Sequence, residues 1–80
     1  MVRLFNICRN AYRISCDYEP EKSNLIGHVI MDSNTFKLID IKYSQYECGE
    51  KMYVAQVRAK LEEIVKQNES IPEETFVVWF

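Results

Sequence analysis

The chain has little of what small enzymes and metal proteins are usually built around. Its 80 residues include one histidine, two glycines and two prolines. A lone His28 excludes a two-histidine metal site or a two-histidine mechanism within one chain. No glycine-rich phosphate loop, GxSxG or HExxH occurs, so the usual marks of nucleotide, hydrolase and zinc enzymes are missing. Cys8, Cys16 and Cys48 are odd in number and form no CxxC pair, which is the pattern of reduced thiols in a cytosolic protein. No stretch reaches the roughly 18 apolar residues of a membrane span. The first residues, with Arg3, Asn6, Arg9 and Asn10, lack the apolar region of a signal peptide. A net charge of −2 and a pI near 5.3 argue against a general polyanion binder, whose affinity comes from neutralising several phosphates.

What remains is an ordinary globular composition, 48% hydrophobic and 28% charged, which excludes a disordered or collagen-like chain. At this length one domain over residues 1–80 is expected, burying only roughly 60–65% of the surface of the unfolded chain. Patterns of period two run through Val2 to Cys8, Tyr12 to Tyr18, Leu25 to Met31 and Phe36 to Tyr43, and read as strands. Arg9-Asn10 fits a tight turn that would set Cys8 opposite Ala11, Phe5 opposite Ile14 and Ile7 opposite Tyr12. Across the polar loop around Pro20, pairing Tyr18 with Leu25 would set Cys16 against Gly27, Ile14 against Val29 and Tyr12 against Met31. The fourth strand changes phase, and a bulge near Lys37 to Ile39 would return its apolar groups to one face.

Val54, Val57, Leu61, Ile64 and Val65 then share a helical stripe, with a start expected close to Gly49 and a stop at Asn68 to Pro72. Thr75 to Phe80 returns as an apolar strand. The fold class that follows is α+β: a mainly antiparallel five-stranded sheet, β-β-β-β-α-β in sequence and 5-1-2-3-4 in space, with one helix on one face. The expected core is Phe5, Ile7, Tyr12, Ile14, Leu25, Val29, Leu38, Val54, Val57, Leu61, Ile64, Val78 and Phe80.

Few side chains are left for chemistry, and none is assigned a catalytic role. His28 with Asp40 or Cys48 would be the means of a minimal enzyme or small-ligand binder. Cys48 precedes a helix, which favours a thiolate, but Glu47 and Glu50 oppose one. Asp17, Glu19 and Glu21 fall in a loop without the glycine of a calcium site. Arg3, Arg9 and Arg13 make a basic hairpin that could meet nucleic acid, although Phe5, placed in the core, could not serve as a stacking platform. The leading expectation is a small cytosolic, non-enzymatic module that contacts another protein or a second copy of itself. Its interface would comprise Ile26, Ile30, Ile39 and Ile41 on the second sheet face, with Val77 and Trp79 in the last strand. No cofactor, metal, membrane or nucleic-acid partner belongs to that reading.

Overall fold

The computed structural model describes residues 1–47, 49, 51–68 and 70–78. Cys48, Trp79 and Phe80, singled out above, lie outside the described residues. The elements are β1 (Val2–Arg9), β2 (Arg13–Pro20), β3 (Gly27–Asp32), β4 (Leu38–Lys42), α1 (Met52–Gln67) and β5 (Glu74–Val77). They form one antiparallel sheet in the order β4-β3-β2-β1-β5, with α1 packed on one face, as the patterns predict.

The first hairpin differs from expectation in register. Its turn runs over residues 10–13, closed by Asn10 N–H donating to the Arg13 carbonyl at 2.9 Å. The Asn10 side chain accepts from the amides of Tyr12 and Arg13 at 3.1 and 2.9 Å, the local bonding that favours Asn in turns. Tyr12 therefore sits in the turn, 70% exposed, and leaves the core. Farther along, Asn6 adopts φ 51° and the register shifts between Phe5 and Cys8. This bulge reverses the parity of β1. Val2 and Leu4 face the helix, Phe5 pairs with Asp17 on the opposite face, and Ile7 beyond the bulge still packs on the core.

Between β2 and β3, Tyr18 pairs with Gly27 where Leu25 is expected, a displacement of two residues. Because side chains alternate with period two, the displacement keeps every face assignment. Leu25 falls beyond the strand and is 36% exposed. Steric fit explains the choice of partner. A Cβ on residue 27 would lie 2.3 Å from Tyr18 Cε1 and 2.7 Å from the Ser44 backbone nitrogen, so only glycine admits the Tyr18 ring there. The bulge expected in the fourth strand is present at Ile39: Met31 pairs with Leu38 and Ile30 with Asp40, which turns both Leu38 and Ile41 toward the helix.

Helix α1 begins at Met52 rather than near Gly49, after Lys51 in a left-handed conformation, and buries Val54, Val57, Leu61 and Ile64. Asn68, also left-handed, closes its end by donating to the Val65 carbonyl at 3.2 Å. In β5, Val77 and Thr75 pair with Val2 and Leu4 on the helix side, so Phe76 points away and Val78 beyond it is 62% exposed, not core. The buried apolar set is Val2, Leu4, Ile14, Cys16, Tyr18, Val29 and Met31 with the four helix residues. Val2, Leu4, Cys16, Tyr18 and Met31 thus stand where Phe5, Tyr12, Leu25 and Val78 are expected.

The Gly27→Ala variant should lose about 1–3 kcal/mol by overpacking, since one of the close contacts is backbone and cannot swing aside. Urea denaturation measures it, and an unchanged midpoint would contradict the packing described.

Candidate functional site

With α1 on one side, the alternate strand positions form a face without a covering layer among the described residues. The pairings lay it out in rows. Glu74, Phe5, Asp17, His28 and Lys42 make one row; Phe76, Arg3 and Glu19 a second; Cys8, Ser15, Ile30 and Asp40 a third.

Arg3 organises the end of this face near β5. Its guanidinium donates to Glu19 Oε1 at 3.1 Å and to Glu74 Oε2 at 2.8 Å, and lies 4.1 Å from the centroid of the Phe5 ring. The bond to Glu74 above all raises the guanidinium pKa, against an opposing effect of burial and with Glu19 adding to it. Toward the middle, Asp17 is a shared acceptor. Asn6 Nδ2 donates to its Oδ2 at 2.8 Å, and His28 Nδ1 lies 2.7 Å from its Oδ1. A carboxylate only accepts, so neutral His28 carries its proton on Nδ1 and turns an acceptor Nε2 away from Asp17. Such an imidazole can take a proton or a hydrogen bond. Its neighbours by register are Asp17 and Lys42.

The opposite face explains why the helix stays where it is. Tyr18 is fully buried, and its hydroxyl accepts from Ser44 N–H at 2.9 Å and donates to Glu47 Oε1 at 3.1 Å. The same Glu47 oxygen accepts from Val54 N–H at 2.7 Å in the first turn of α1. Lys51 offers no side-chain cap, so Glu47 supplies one from a distance, where a negative charge also suits the helix dipole. Burial pushes the Tyr18 phenol well above its ordinary range, with the Ser44 amide opposing and the charge of Glu47 adding. Glu47 Oε2 is buried without a hydrogen-bond partner among the described residues. Burial, then the charge of Asp17, pushes the Cys16 thiol up to about 12, which makes it an inert core group.

The residues singled out from sequence scatter over this frame. Ile30 lies on the open face, and Ile26 and Ile39 are exposed at 43% and 47%. Ile41 and Val77 instead pack against the core. His28 meets Asp17 rather than Asp40, which pairs with Ile30. Arg3 is engaged by two carboxylates, while Arg9 and Arg13 flank the hairpin turn. Phe5 and Phe76 belong to the open face and were missed: the bulge at Asn6 displaces the first, and the phase of β5 the second. The sequence argument that Phe5 is buried away from nucleic acid does not hold, but Arg3 covers its ring and Glu19 and Glu74 stand beside it.

The hollows on this side are shallow, one lined by Arg3, Phe5, Asn6, Ile7, Glu73 and Glu74, another by the hairpin turn with Asp32 and Ile39. Among the described residues no three His, Cys, Asp or Glu side chains gather to hold a metal ion, and no helix is long and apolar enough to cross a membrane.

Nitrogen-15 NMR of His28 at alkaline pH should report the Nδ1–H form, and Asp17→Asn should abolish that preference. An Nε2–H ring in the unsubstituted protein would contradict the Asp17 contact. Comparison with protein-family models, with curated proteins and with solved structures finds no match to the chain.

Proposed function

We propose that this protein is a small, cytosolic, non-enzymatic interaction module that binds another polypeptide, a second copy included, through the uncovered side of its sheet and the adjoining β5 edge. The observation that carries the reading is the one-sided covering of the sheet. Phe76 and Ile39 are each 47% exposed there, and Phe5 and Ile30 are half-buried among paired charges. Aromatic groups and arginine set in a polar surround are the composition of transient protein interfaces. The outer side of α1 is less suited to contact, because among the described residues from Tyr53 to Gln67 it exposes no large apolar group and its charges pair with one another, Glu62 accepting from Arg58 at 2.9 Å and from Lys66 at 3.1 Å. Cys8 and Cys16, one exposed and one buried, lie on opposite faces of the sheet and do not bridge each other, an arrangement compatible with a reducing compartment.

A concentration series of heteronuclear NMR spectra, with light scattering on the same samples, tests the proposal. The expected result is a mass that grows with concentration and shifts confined to Phe5, Ile30, Ile39 and residues 74–77. A strict monomer with unchanging spectra would remove the second copy as partner, and shifts centred on Arg58, Glu62 and Lys66 would overturn the surface assigned.

A further inference from the structure

The two edges of the sheet are built differently. β4 carries a bulge at Ile39, is preceded by Lys37 and ends in Lys42, three devices that discourage a further strand from pairing. β5 has none of them. Its register against β1 runs unbroken through Val2–Val77, Arg3–Phe76, Leu4–Thr75 and Phe5–Glu74, and Glu74–Val77 contains neither lysine nor proline. The one charge in the strand, Glu74, is drawn back over the sheet by Arg3 at 2.8 Å and does not guard the edge.

We infer that a second copy of this chain pairs along β5, antiparallel, about a two-fold axis at Phe76, joining the two sheets into one. The inference rests on the interaction-module reading and names its first partner. Antiparallel self-pairing is self-complementary, because wherever one residue meets a second, the second meets the first under the two-fold. Residues directly opposite must share a face, so the axis has to pass through a residue position. An axis at Thr75 would set Glu73 against Val77 and Glu74 against Phe76, charge against apolar groups. At Phe76 it sets Phe76 against Phe76 on the open face and Thr75 against Val77 on the helix face. Only the end pairs then set charge beside an apolar group, Glu74 against Val78, and there each carboxylate stays drawn back to its own Arg3. A basic partner strand would instead compete with Arg3 for Glu74. Four strand residues offer few backbone bonds, so the exposed Phe76 ring and Val78 supply the remaining contact.

The test uses single cysteines in the full chain with Cys8→Ser and Cys48→Ser, the buried Cys16 being retained. Opposed residues of an antiparallel pair lie about 4.5–5.5 Å apart at Cα, within disulfide range. Phe76→Cys should oxidise to a covalent dimer on the order of tenfold faster than Ile39→Cys at the other edge, the local thiol concentration being set by the pairing. Phe76→Lys should leave a monomer with an unchanged circular dichroism spectrum. Equal or slower cross-linking at Phe76, or a dimer that survives Phe76→Lys, overturns the edge pairing. In the second case association through Ile30 and Ile39 still stands, whereas a strict monomer at every concentration ends self-association by either surface.

Discussion

One buried hydroxyl ties the two layers of this protein together. Tyr18 reaches from the middle of the sheet to the Ser44 amide and to Glu47, and Glu47 in turn caps the start of α1. A phenol can stand there only because residue 27 has no side chain. Without these bonds a buried amide, a carboxylate and a helix start would each lose a partner, at about 1–3 kcal/mol for each buried group left unsatisfied. The node therefore does two things at once. It fixes α1 to one face, and it ends the loop between β4 and the helix at a defined place.

The consequence lies on the other side. The described residues provide one helix, so among them the five-stranded sheet keeps one face without a second layer. That face is made tolerable in water by internal pairing: Arg3 between Glu19 and Glu74, and Asp17 between Asn6 and His28. Ion pairs at a partly exposed surface such as this contribute modestly to stability. They leave Phe76 and Ile39 exposed and Phe5 and Ile30 half-covered within a polar field, which suits reversible contact better than a dry permanent interface.

Topology, helix stripe and the β4 bulge were legible in the sequence because each rests on periodicity, which survives errors of exact pairing. The two-residue displacement between β2 and β3 shows why: an even slip leaves Ile14, Cys16 and Val29 on the same face. What escaped were the odd displacements. Asn6 in a left-handed conformation looks like any strand residue, yet it moves Phe5 out of the core and brings in Val2 and Leu4. Asn10 signalled a turn correctly, but not that its side chain would bond two amides and draw Tyr12 into the loop. The continuous apolar run of β5 carries no phase at all, and so Val77 and Val78 exchanged roles. Glu47 entered the sequence reading as a charge beside Cys48; its bond to Val54, seven positions on, depends on the loop path and has no local signature.

A double-mutant cycle on Tyr18 and Glu47 tests most directly whether this node holds the layers in place. Tyr18→Phe, Glu47→Ala and the double variant would be compared by urea denaturation. The account predicts that the single losses fail to add, with a coupling of about 1 kcal/mol or more. Losses additive to within about 0.3–0.5 kcal/mol, the behaviour of independent sites, would contradict it.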